Sequence, residues 1–205
     1  YTIKEGTKWI GDYAFTICSS LSSIVIPDSV TSIGVDAFNG CTSLENVQMS
    51  SAIEYIGTYA FNYCHQLKSI NLPEGLKTLG SSAFNDCQNL VKLNIPGTIG
   101  YIPNYAFSNC FLLDTVTIGN GIATIKNNAF ANCYNMKKLE IADSVTYIEV
   151  GAFSSCNAIE YLKTPFPGCK VSDTATFYTV FGNGLRELKE VVITKAQHLN
   201  TTLFD

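Results

Sequence analysis

The chain has 205 residues, only 15% of them charged, and a formal net charge of −4. No basic stripe follows any line of the sequence, which argues against nucleic acid as a partner. No apolar run approaches the ~20 residues that a membrane helix needs, which argues against membrane insertion by this segment.

The first apolar positions are Ile3 and Ile10, in the strand and core columns of a unit whose beginning lies before Tyr1. The sequence therefore reads as part of a longer polypeptide, and its lack of a secretory signal says nothing against export. Ala14-Phe15 follows, then Cys18 and Leu21, then the alternating pair Ile24 and Ile26 ahead of Pro27, then Val30 and Ile33. This order recurs every 23 residues. Cysteine returns at Cys41, Cys64, Cys87, Cys110, Cys133 and Cys156, each time behind an Ala-Phe pair. A strict period of that size marks a repeat protein, in which one unit cannot bury its apolar face alone and stacking creates the core.

Within each unit, apolar residues alternating with polar ones predict a short strand with one buried face, as at Leu93 and Ile95 or Val116 and Ile118. A proline or glycine turn and a short extended or irregular segment come next. Phe, Cys and Leu then recur at intervals of three, and we expect a brief helical or 3₁₀ turn that sets all three on one side. Seven regular units reach to about residue 164. There the register breaks: Leu162 to Val191 is 29 residues, with the extra length between Pro165 and Glu187. We expect a single solenoid over 1–205 whose residues 165–205 form an irregular C-terminal repeat or cap, with a protruding functional loop as the alternative. Nine strand positions, spaced by about 4.8 Å, give a stack of roughly 40 Å.

The run I-G-x-x-A-F-x-x-C-x-x-L-x-x-V-x-I-P, carried by residues 3 to 164, resembles the BspA-type leucine-rich repeats of bacterial surfaces and some parasitic protists. The resemblance implies an α/β repeat solenoid, a right-handed superhelix with a parallel β-sheet on its concave side and short helical or 3₁₀ turns on its convex side. It implies too an extracellular or cell-surface location and adhesion to a host or neighbouring-cell protein or glycan. One departure is the missing asparagine after the strand, so the usual asparagine ladder cannot be assumed.

The seven periodic cysteines share a column beside Phe and Leu, and we read them as small buried hydrophobes rather than as disulfides. An odd-numbered column cannot pair fully within itself. Cys169 is off the column and is left as the one reactive or disulfide-forming thiol, with Cys156 its candidate partner. No C-x-x-C occurs and His65 lies far in sequence from His198, so neither metal nor cofactor is expected; His65 reads as a solvent-facing residue beside the helical turn. No nucleophile elbow, phosphate loop or nucleophile–base pair is present, and we expect no enzyme. Asn200-Thr201-Thr202 is a glycosylation sequon, a triplet frequent by chance.

Two surfaces remain as candidates for binding. The outward strand residues are small and polar except toward Lys138, Glu140, Tyr161 and Lys163. The second surface is an aromatic stripe of period 46: Trp9, Tyr55, Tyr101 and Tyr147 alternate with Ser32, Thr78 and Thr124, and Tyr13, Tyr59 and Tyr105 follow four positions later. Tyrosine and tryptophan contribute strongly to interfaces. The plain alternative is rings laid flat over their smaller neighbours. The function expected is a non-catalytic binding module of a surface protein, against a rigid spacer that displays other domains.

Overall fold

The computed structural model describes residues 1–165, 180–182 and 185–195. Cys169, His198 and the Asn200 sequon lie outside the described residues. Fourteen short strands run through those described: β1 (Trp9–Ile10), β2 (Ser23–Val25), β3 (Ser32–Ile33), β4 (Asn46–Gln48), β5 (Tyr55–Ile56), β6 (Thr78–Leu79) and β7 (Lys92–Ile95) come first. Then follow β8 (Tyr101–Ile102), β9 (Thr115–Ile118), β10 (Thr124–Ile125), β11 (Lys138–Ile141), β12 (Tyr147–Ile148), β13 (Tyr161–Thr164) and β14 (Glu190–Ile193). Together they make a parallel β-solenoid of about seven coils.

Every strand enters from the same direction after a full coil, so all pairings are parallel, with partners such as Leu93, Val116, Leu139 and Leu162 in line. The principal sheet runs β7-β9-β11-β13-β14, and β2-β4 joins it through isolated bridges from Asn46 to Ser69 and from Ser69 to Lys92. In the third unit the expected strand thus shrinks to a single bridging residue. The segment read from sequence as extended or irregular forms a second ladder, divided into β1-β3-β5-β6 and β8-β10-β12. Its inward residues are Ile10, Ile33, Ile56, Leu79, Ile102, Ile125 and Ile148, all buried. After the break in period, β14 still pairs with β13, and Phe181 stacks on Phe153 at 5.2 Å.

The expected helical turns are absent over Ala-Phe-x-x-Cys, and this corrects the fold reading. Within residues 1–165 the one helical element is a 3₁₀ turn at Gly97–Ile99. Each Ala-Phe-x-x-Cys segment is instead a succession of tight turns. Two residues per coil, the second before Phe and the second after it, take left-handed backbone, from Tyr13 and Ile17 through Asp86 and Asn109 to Gly151 and Ser155. These residues reverse alternate peptides. Thr16 and Cys18 donate their N–H groups within the coil, to the carbonyls of Tyr13 and Phe15. Tyr13, Phe15 and Ile17 donate to Val35, Ala37 and Asn39 of the next coil at 2.7–2.9 Å. A helix directs all its N–H groups along its own axis and has none to offer a neighbour. A stack that lives by coil-to-coil bonding favours the turns.

The core is built in columns. Phe15, Phe38, Phe61, Phe84, Phe107, Phe130, Phe153 and Phe181 stack with centroids 4.9–5.5 Å apart and planes within 16°. An asparagine ladder does form, but in the turns: Asn62 donates to Asn39 at 3.2 Å and Asn85 to Asn62 at 2.9 Å. Beyond Asn85 it shifts one column, to Asn109 and Asn132. His65 also sits in a turn, half-buried, its ring edge-on to Tyr63 at 5.9 Å.

Six of the periodic thiols are buried and free, and each donates to the Phe carbonyl of the preceding coil, as Cys64 does to Phe38 at 3.3 Å. The same carbonyl accepts the N–H of Cys41 at 3.1 Å, so both its lone pairs are used. Cys18 departs from the expected burial. It lies in the first coil described and is exposed. Burial pushes the Cys41 thiol from its ordinary 9.0 to about 11 and raises Cys64, Cys87, Cys110 and Cys133 further.

Two predictions follow from these columns. Replacing Phe84 by Ala opens a cavity between coils and costs about 3–5 kcal/mol, measured as a lowered urea midpoint. The buried thiols are protonated donors whose pKa rises on folding, so they favour the native state fully below pH 9. That contribution is lost progressively as the pH rises toward 11, where unfolded thiols ionise and folded ones do not follow until higher pH. Melting temperature should fall across this window, and native alkylation with peptide mapping should spare Cys41 to Cys156.

Candidate functional site

On the principal sheet the four residues singled out from sequence do come together. Lys138 lies opposite Tyr161 and Glu140 opposite Lys163 on paired strands β11 and β13. They are also occupied with one another. The Lys138 ammonium is 2.7 Å from the Glu140 carboxylate and 5.4 Å from the centre of the Tyr161 ring. Its hydrogen bond to Glu140 raises its pKa above the ordinary lysine value. Thr115 and Thr117 flank the patch on β9, and the face toward β7 is polar and wet.

The aromatic stripe lies on the outer side of the second ladder. Trp9, Tyr55, Tyr101 and Tyr147 stand on β1, β5, β8 and β12, with Ser32, Thr78 and Thr124 on the strands between. Trp9 is 67% exposed, Tyr55 40% and Tyr101 47%, so each ring offers much of its surface to solvent. Tyr147 is half-buried. Tyr13, Tyr59 and Tyr105 follow at left-handed positions, also exposed. The Tyr105 hydroxyl accepts a hydrogen bond from Asn128 at 3.1 Å.

Between Tyr55 and Tyr101 the surface opens into a groove of about 350 Å³. Its cause can be read in one column. The residue after the inward Ile or Leu is Gly34, Gly57 and Gly80 in successive coils, each donating its N–H to the coil before, as Gly80 does to Ile56 at 2.8 Å. The coils pack so closely here that a Cβ on Gly80 would lie 2.2 Å from the Thr58 nitrogen. In the next coil the position is Pro103, which has no N–H to donate. The N–H of Gly100, which would also cross this junction, turns back to Gly97 in the 3₁₀ turn at 3.2 Å. Bonding resumes in the following coil, where Lys126 donates to Ile102 at 2.9 Å.

The ladder therefore breaks between β6 and β8, and only there among the coils of residues 1–165. The Phe stack is widest at the same junction, 5.5 Å between Phe84 and Phe107. The turns still close it, through Ser82 to Asn104 and Phe84 to Ala106 at 3.0 and 2.8 Å. Thr78 stands between the two tyrosines, and Thr58, Ser81 and Asn104 add polar groups to the lining. Lys126 lines it too, but is paired with Glu149 at 3.2 Å, and the adjacent Lys77 is paired with Glu54 at 2.8 Å. The charges at the groove are matched locally.

The tyrosines are legible in the sequence as a superperiod, and the groove between them is not. Its one mark in the sequence is Pro103, in a column that is glycine at Gly11, Gly34, Gly57 and Gly80. Among the described residues no group of three or more His, Cys, Asp or Glu is placed to hold a metal ion. No helix among them is long and apolar enough to cross a membrane.

Comparison with known proteins agrees with this architecture. The family described as BspA type leucine rich repeat region matches residues 1–113 and 79–204, in six copies. A leucine-rich repeat protein of T. pallidum superimposes with a TM-score of 0.71 at 27% identity, over 77% of this chain and 76% of that one. A leucine-rich cell surface protein of Faecalibacterium prausnitzii gives 0.57 at 24% identity, over 79% of this chain and 62% of its own. The pneumococcal vaccine antigen PcpA gives 0.52 at 18% identity, over 98% of this chain and 63% of its own. The chain thus spans about three quarters of the first of these structures and under two thirds of the other two. No curated protein matches it. With the 23-residue unit, the Ala-Phe-x-x-Cys turns and the matched regions in agreement, the chain belongs to the BspA-type leucine-rich repeat family.

Proposed function

We propose that this chain is a non-catalytic binding module of a secreted or cell-surface protein, and that it binds through the tyrosine face of the second ladder. The observation that carries this reading is the groove between Tyr55 and Tyr101, an opening at the one place where β6 and β8 fail to pair. Exposed aromatic rings beside such an opening offer large, rigid contact area at small cost in side-chain entropy. The surface location follows relatives described as a cell surface protein and a vaccine antigen. The patch of Lys138, Glu140, Tyr161 and Lys163 is the weaker binding surface, because a ligand would first have to separate Lys138 from Glu140.

A second reading, a stiff spacer displaying other domains of a longer protein, is favoured by the unbroken Phe stack and the turn bonding that link every coil. The two are separated by presenting the protein to an array of matrix proteins and glycans and to intact cells. A binding module retains a partner and loses it at least tenfold when Tyr55, Tyr101 and Tyr147 are changed to Ala. Changing Lys138 and Tyr161 to Ala leaves binding nearly unaltered. A protein that retains nothing on the array or on cells is a spacer.

A further inference from the structure

We propose that the tyrosine face binds an extended, uncharged β-1,4-linked polysaccharide, with one aromatic ring meeting each disaccharide. This rests on the reading of the chain as a binding module and names the ligand class of that surface.

The first argument is spacing. Coils of a parallel ladder rise by about 4.8 Å, so rings on alternate coils recur at about 10 Å. That is close to the length of one disaccharide in an extended β-1,4-linked chain, where successive sugars face opposite ways and every second one presents the same face. Trp9, Tyr55, Tyr101 and Tyr147, on β1, β5, β8 and β12, thus keep step with such a chain. The intervening Ser32, Thr78 and Thr124 offer hydroxyl groups to the sugars between.

The second argument is chemistry. The apolar C–H face of a sugar ring stacks on an aromatic ring, while its rim of hydroxyls needs small polar partners, and the groove has Thr58, Ser81 and Asn104 for these. Its charges are already paired, Lys126 with Glu149 and Lys77 with Glu54, which suits an uncharged ligand. A protein partner prefers a contiguous apolar centre with a polar rim. Here hydroxyl residues interrupt the aromatics on every second coil.

The third argument is the backbone. Tyr13, Tyr59 and Tyr105 occupy left-handed conformation, with φ of 59°, 57° and 56°. Asp36 and Asn128 fill the same column at lower cost, because short polar side chains tolerate that region. The coil's turn thus sets a second row of aromatic rings on alternate coils beside the groove, which widens the surface a sugar chain can meet.

The test uses the chain's single tryptophan, Trp9, which stands on the stripe as an intrinsic reporter. The protein is titrated by calorimetry and by Trp9 emission with cello- and chito-oligosaccharides, from the disaccharide to the octasaccharide, and with malto-oligosaccharides, whose α-linkage curls the chain. Affinity should climb about tenfold for each added disaccharide of the β-linked series, and Trp9 emission should shift with the longer members. The Tyr55→Ala/Tyr101→Ala variant should lose at least a hundredfold for the octasaccharide. Tyr55→Phe/Tyr101→Phe should bind nearly as the parent, with unchanged melting curves for both variants. Absence of β-linked binding, equal binding of the malto series, or indifference to the double alanine change overturns the proposal. If the β-linked chains fail while a matrix protein is still held through the same tyrosines, the ligand class is wrong and the binding module stands. If neither is held, both readings fall.

Discussion

The whole molecule depends on one distance, the rise of a single peptide hydrogen bond from coil to coil. Two ladders of strands and the turn bonds from Tyr13, Phe15 and Ile17 to the next coil all impose it. Everything stacked inside must then repeat at that rise. Flat Phe rings do so, at 4.9–5.5 Å, and asparagine amides do so by donating one to the next. The thiol column meets the same demand, since each Cys sulfur reaches back to the Phe carbonyl one coil earlier. A buried carbonyl left without its second donor would lose little, but six such bonds in line help to fix the register. Surface residues obey the rule as well: Lys68 meets Glu45, Lys77 meets Glu54 and Lys126 meets Glu149, each one coil apart.

The rise has a conformational cost, carried by left-handed residues twice in each coil. Glycine, asparagine and aspartate reduce that cost at Gly40, Asp36, Asn109 and Gly151. Tyr59, Tyr63 and Tyr105 do not. Their backbone strain, of order 1–3 kcal/mol each in general, is offset by a context in which every neighbouring coil holds the same turn. The surface that these turns border is also where the second ladder breaks. Strain and an interrupted ladder thus meet on one face, while the Phe stack behind it runs on.

Most of the architecture was legible because the columns are long. Seven recurrences of Ala-Phe-x-x-Cys leave no freedom in the period, and the buried faces of the strands follow from alternation at Leu93 and Ile95. The helical turns were misread because Phe, Cys and Leu at intervals of three fit successive tight turns as well as a helix. The distinguishing marks, Asp36, Gly40, Asn109 and Asn132 at left-handed places, were diluted by Tyr and Ile in the same columns. The tyrosines were legible as a superperiod. Their groove was not, since it comes from what Pro103 fails to donate and from the turning back of Gly100.

A defect of that kind is tolerable because stability in a solenoid is close to a sum over neighbouring coils. Losing the β6–β8 pairing weakens one junction, and the turn bonds from Ser82 and Phe84 still hold it. In a globular sheet the same loss would open a central strand to water and propagate through the core. Here the coils on either side keep their own neighbours, so Gly57 and Gly80 pack tightly below the break while Lys126 and Glu149 carry side chains in the same column above it. A repeat array can therefore place a recess at one junction by altering a few residues there, Pro103 and the Gly97–Gly100 turn in this chain, while the coils beyond keep their own pairing.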